Sequence, residues 1–189
     1  MRVPAQKRLP TVLSPEDIRR LLQQVRKPRY RVCLALMYAC GLRISEATTL
    51  TVSQVDGRRG LLRIIGKGSK ERLVPLPHAL LLKLRELWKT HQHPRWLFPS
   101  GPGKTPIAPK NVRLAFHAAA LAAGLPPTVV PHTLRHSYAT QLLHSGVELR
   151  IVQILLGHAS LKSTTIYTHL TEPGRQRLRA LLDDLMAGF

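Results

Sequence analysis

The stretch LLRIIGKGSKERLVPL, residues 61–76, decides the fold class. Two short runs rich in β-formers, LLRII at 61–65 and RLVPL at 72–76, flank the glycine-rich basic segment GKGSKE. That pattern predicts a β-hairpin with Lys67 and Lys70 in its turn. Outside this hairpin the chain reads as helices and loops. The expected fold is therefore mainly α with a small antiparallel β-sheet, an α+β arrangement in a single domain.

Upstream of the hairpin, SPED opens a helix. Ser14 is its N-cap, Pro15 takes the first position, and Asp17 closes a capping box. Ile18, Leu21, Leu22 and Val25 form its apolar face. A second helix near Tyr30–Cys40 is almost wholly apolar and so belongs at the centre. Gly41 ends it, and a short helix from Arg43 to Leu50 follows. Downstream, a helix covers about Ala79–Thr90, and the loop FPSGPGKTPIAP comes next. Further helices are expected at 110–123, 132–145, 148–156, 161–169 and 174–187. Gly124, Pro126, Pro127, Gly146, Gly157 and Pro173 separate them.

The chain has 189 residues, 44% of them hydrophobic, which is enough for one domain with its own core. Lys plus Arg total 29 against 10 Asp plus Glu, a net charge of +19. Such an excess points to a polyanionic partner, most often nucleic acid. No apolar run approaches the ~20 residues of a membrane helix. The first residues, MRVPAQKRLP, carry no apolar signal core, which places the protein in the cytoplasm. Cys33 and Cys40 lie seven apart in one helical stretch, so their Cα atoms should stand about 10 Å apart. That exceeds the ~7 Å limit for a disulfide, and both are read as core thiols.

HTLRHSYATQL, residues 132–142, poses the chemical question. His132 and His136 share a helical face, as zinc ligands can. Yet Arg135 between them would repel a cation, and no third ligand is evident. His132 and Arg135, three apart, suit a phosphate better, because a guanidinium offers a rigid fork of donors. Phosphoryl chemistry would need a second arginine, a proton donor and a nucleophile. GLRISE offers Arg43 with Glu46, GKGSKE offers Lys67 and Lys70, LLGHAS offers His158, and TTIYTHL offers Tyr167. Each has an ordinary reading alone: a surface ion pair, a solvated turn, a capping histidine, a packed aromatic. Their combination does not.

In this order and spacing, GLRISE, GKGSKERLVPLP, HTLRHSYAT, LLGHAS and TTIYTHL resemble the tyrosine recombinase (phage integrase) family, especially its bacterial Xer-like members. The resemblance runs from about Leu9 to Leu185. It implies a DNA breaking-rejoining catalytic domain with Arg43, Lys67, His132, Arg135, His158 and Tyr167 as catalytic residues. Glu46 matches a supporting acidic position, and Lys70 is the nearest rival to Lys67. His136 is left out of the site.

The implied chemistry is covalent. The Tyr167 phenol attacks a phosphodiester, forms a 3′-phosphotyrosyl bond and frees a 5′-hydroxyl. His132 would take the phenolic proton and Lys67 would protonate the leaving oxygen. Arg43 and Arg135 would clamp the non-bridging oxygens, and His158 would add a hydrogen bond there. No ATP, metal or other cofactor is required. The expected partners are double-stranded DNA and further copies of the chain in a tetrameric synapse on DNA, with no membrane.

Members of the family usually carry an N-terminal helical domain that clamps DNA. Against that pattern, residues 1–12 read as a linker remnant and 13–189 as the catalytic domain, with the N-terminal core-binding domain absent. Leu178, Leu181, Leu182, Leu185 and Met186 mark a last helix that either packs on its own domain or docks on a neighbouring subunit. Two rival functions stay open. One is a truncated, non-recombining DNA-binding remnant or regulator, to which the helix-turn-helix-like ATQLLHSGVELRIVQILLGH would contribute. The other is a type IB topoisomerase using the same residue types to relax DNA.

Overall fold

The capping box expected at Ser14 begins the first helix of the computed structural model, which describes residues 11–66, 71–101, 103–157 and 171–187. Ser14 Oγ accepts from the Asp17 amide at 3.1 Å, and Asp17 Oδ2 accepts from the Ser14 amide at 3.4 Å. Helix α1 (Pro15–Gln24) turns Ile18, Leu21 and Leu22 inward. Helix α2 (Pro28–Ala39) has an unbroken buried run from Val32 to Ala39. A helix apolar all round needs neighbours all round, and α2 packs against α1 and the helices at 44–48, 78–89, 109–122 and 131–144. Cys33 and Cys40 are free and fully buried, and burial pushes both thiols up, so they stay protonated.

Gly41 breaks α2 with a left-handed φ of 60°. A Cβ there would stand 2.6 Å from the Tyr138 ring, so this bend and the tight helix contact both require glycine. The short helix α3 (Ile44–Thr48) follows directly.

The hairpin forms as expected, with a third strand added. Strands β1 (Val55–Asp56), β2 (Leu61–Ile65) and β3 (Glu71–Pro75) make an antiparallel sheet in the order β1-β2-β3. The two-residue β1 is too short to leave a periodic signal in sequence. Register pairs Ile64 with Arg72 and Leu62 with Val74. These four side chains are buried, so they share the sheet's inner face.

Helices α4 (His78–Lys89), α5 (Pro109–Ala122), α6 (Pro131–His144) and α7 (Leu149–Leu156) follow. All lie within one or two residues of the expected bounds. In α6, Thr133 Oγ1 accepts from the Val130 amide at 3.1 Å, and Ser137 Oγ accepts from the buried Leu13 amide at 2.9 Å. Helix α7 ends at Gly157, whose φ of 69° forms a left-handed cap. The helix expected at 161–169 lies outside the described residues.

Helix α8 (Glu172–Leu185) buries Leu178 and Leu182, with Met186 just beyond it. Asp183 Oδ1 accepts from the His78 amide at 2.8 Å, and Arg179 donates to the Arg59 carbonyl at 2.7 Å. In the single chain the apolar face of α8 packs on its own domain. Among the described residues, no helix is long and apolar enough to cross a membrane.

Candidate active site

Three arginines from distant parts of the chain converge on one carboxylate. Arg43 lies at the start of α3, Arg72 on β3, Arg135 in α6, and the carboxylate belongs to Glu46. Because Glu46 sits three residues after the cap position, its side chain reaches back over the start of its own helix. Its Oε2 accepts from the Arg43 amide at 2.8 Å, and its Oε1 accepts from Arg43 Nη1 at 3.0 Å. Arg72 closes a two-pronged fork on the same carboxylate, Nη1 to Oε1 at 2.9 Å and Nη2 to Oε2 at 2.8 Å. Arg135 Nη1 stands farther off, 3.9 Å from Oε2.

Exposure separates the roles. The Glu46, Arg72 and Arg135 side chains retain 7%, 3% and 5% of their accessible surface, whereas Arg43 retains 42%. The Arg43–Glu46 pair is therefore not the solvated helix-surface pair its spacing alone suggests. Burial pushes the Glu46 carboxyl up, but the fork and charge of Arg72, with the Arg43 donors, outweigh it. The carboxyl ends below its ordinary value and is ionised at neutral pH. Three guanidiniums around one carboxylate leave a formal excess of two positive charges.

Arg135 is held mainly by backbone. Its Nη1 donates to the Gly41 carbonyl, and its Nη2 donates to the Leu156 carbonyl at 2.5 Å. The bend after α2 and the end of α7 thus fix one guanidinium. Burial, then the nearby charges of Arg43 and Arg72, bring its pKa down to about 10, which leaves it a cation at neutral pH.

His132 is exposed one turn before Arg135 on α6. Partial desolvation, followed by the charges of Arg135, His136 and Arg43, holds its imidazole below the ordinary value of 6.5. It is neutral at pH 7 and can accept a proton. His136 is half-buried, and its backbone carbonyl accepts from Thr140 Oγ1 at 3.1 Å. Two histidines flanking a fixed guanidinium in a cationic cluster make a poor cation site. Among the described residues, no three His, Cys, Asp or Glu side chains gather where a metal ion could sit.

Of the six residues expected from sequence, Arg43, His132 and Arg135 come together here. Lys67, His158 and Tyr167 lie outside the described residues. In sequence Lys67 stands two residues past β2, and His158 directly follows the Gly157 cap. The fourth charged member of the cluster, Arg72, was not anticipated. Its signal was present: positions 72, 74 and 76 alternate inward on a strand, so Arg72 shares a face with the apolar Val74 and Leu76.

The model of the phage integrase family matches residues 11–173. The tyrosine recombinase XerD of Pseudomonas putida is 40% identical over 186 residues, covering 92% of this chain and 62% of that protein. Among solved structures, the integrase from mycobacterium phage Brujita superposes with a TM-score of 0.77 at 29% identity, covering 98% of this chain and 61% of that one. The XerH site-specific recombinase bound to difH substrate gives a TM-score of 0.72 at 28% identity, covering 90% of this chain and 54% of that one. The chain thus spans less than two thirds of the length of these relatives. With a family model over most of its length and a relative at 40% identity, the chain belongs to the phage integrase family.

Proposed function

We propose that the chain is the catalytic part, residues 13–189, of a tyrosine-type site-specific DNA recombinase. It cleaves and rejoins double-stranded DNA through a 3′-phosphotyrosyl intermediate at Tyr167. The observation that carries this reading is the convergence of Arg43 and Arg135 on Glu46 beside a neutral His132. Such a pocket is built for a phosphate that gains negative charge.

In the proposed reaction the Tyr167 oxygen attacks the scissile phosphorus and its proton passes to His132. The bond from phosphorus to the 5′-oxygen breaks, and Lys67 protonates the leaving oxygen. Arg43 and Arg135 hold the non-bridging oxygens throughout, and His158 adds a donor. The bond energy stays in the phosphotyrosyl link, so a 5′-hydroxyl of a second strand can attack it and rejoin the DNA. Each step is proton and phosphoryl transfer, needing no ATP and no metal. The DNA-bound XerH relative supports duplex DNA as substrate, and strand exchange calls for several copies on paired sites. A cytoplasmic location suits this role.

The test is a nicked suicide duplex, which traps the cleaved state because the short 5′-hydroxyl strand diffuses away. The wild-type chain should form a covalent adduct resistant to denaturing gel electrophoresis, in excess EDTA. Tyr167→Phe should bind the same duplex and form none. Binding without any wild-type adduct would identify a DNA-binding remnant or regulator. Relaxation of supercoiled plasmid without recombination would identify a topoisomerase.

A further inference from the structure

We propose that Arg72 is a positioning residue for phosphoryl transfer: from the buried face of β3 it joins Arg43 in filling the Glu46 carboxylate and ties down the end of α7, which keeps Arg135 on its backbone anchors with its remaining N–H donors to serve the phosphate. This inference rests on the DNA-cleaving reading above.

Arg72 faces inward from β3 and is 2% exposed. Its donors are all directed at the cluster. Nη1 and Nη2 take the two oxygens of Glu46, and Nε donates to the Leu155 carbonyl at 2.8 Å. Arg135 donates to the next carbonyl along, Leu156. Two guanidiniums thus share the last turn of α7 and one carboxylate, and Arg72 takes the closer hold on Glu46. Its place is built for it: a Cβ at Gly157 would stand 3.0 Å from Arg72 Nη1 and 3.1 Å from its Cδ.

The consequence follows from competition. With Arg72 in place, both Glu46 oxygens are occupied and Arg135 stands off at 3.9 Å. Without it, a buried carboxylate with open lone pairs faces a cation within reach. Glu46 would then draw Arg135 into its own fork and away from the substrate oxygens. Lysine cannot replace Arg72, because an ammonium keeps the charge but cannot serve both carboxylate oxygens and a carbonyl in one plane. Arg72 is the second residue of β3 and directly follows GKGSKE, so the same latch anchors that strand.

The test compares Arg72→Lys and Arg72→Gln with the wild-type chain. DNA affinity and the single-turnover rate of adduct formation at saturating suicide duplex are measured, with melting curves to verify folding at the assay temperature. A positioning role predicts folded variants with Kd within about threefold of wild type and adduct formation about 10²-fold slower. A structural role alone would lower rate and affinity together with the folded fraction. The proposal is overturned if Arg72→Lys cleaves within about threefold of wild type, if rate and affinity fall in parallel, or if neither variant folds. Failure of the wild-type chain to form any adduct refutes the recombinase reading itself, and the inference with it.

Discussion

Replacing Glu46 with glutamine tests the electrostatic design of the cluster. The change keeps the shape and removes the one negative charge among three guanidiniums. Arg72 and Arg135, at 3% and 5% side-chain exposure, would be left as buried cations without a counter-charge. Removing one partner of a buried ion pair costs about 3–5 kcal/mol. Two features of the structure favour the lower end. Arg72 keeps its bond to the Leu155 carbonyl, and Arg135 keeps those to Gly41 and Leu156. The expected loss is about 3 kcal/mol, which for a domain of this size lowers Tm by about 6–12 °C.

The assay is thermal unfolding of both proteins as a function of pH. The folded-state pKa of Glu46 lies below its unfolded value of 4.5. Its contribution is therefore fully present above pH 4.5 and is lost as pH falls through the folded value. The gap between wild type and Glu46→Gln should be widest near pH 7 and close in that acid range. A variant within about 0.5 kcal/mol of wild type at pH 7, the scatter of ordinary surface substitutions, would refute the reasoning. So would a gap that does not narrow in acid.

Two further outcomes follow from the same geometry. Gly41→Ala places a methyl group 2.6 Å from the Tyr138 ring at a φ of 60°, and left-handed backbone strain plus overpacking should cost about 2–5 kcal/mol in urea unfolding; an unchanged midpoint would contradict this. The single-turnover rate should fall as pH drops through a value below 6.5, where His132 gains a proton and can no longer accept one. That acid limb should vanish in His132→Gln, and its persistence would assign the limb to another group.

The helices were legible because their local signals agree with the tertiary structure. The Ser14 capping box and the glycine ends at Gly41 and Gly157 all mark true boundaries. The hairpin was legible from its two short runs, but β1 was not. Two residues cannot show a period, and only their pairing with Leu61 and Leu62 makes them a strand.

In the site, Arg43, His132 and Arg135 were readable as motif residues. What the sequence hid was the relation between them. Spacing suggested that His132 and Arg135 present one shared face, whereas Arg135 is buried against backbone carbonyls and His132 stands exposed. Glu46 read as a local partner of Arg43, three residues away, yet its closest ties include Arg72, which is 26 residues distant. Such contacts are set by how β3 is laid against α3 and α7, and local periodicity carries no record of that. Arg72 was placed in the second strand of the hairpin but not in the site, because a charged residue on the inner face of a strand is rare.

The most direct measurement of the central claim is peptide mapping of the trapped covalent complex. The suicide-duplex adduct would be digested with protease and nuclease, and the modified peptide sequenced by mass spectrometry. The account predicts a nucleotide joined through its 3′-phosphate to the phenolic oxygen of Tyr167. A link to any other residue, or attachment through a 5′-phosphate, would contradict it.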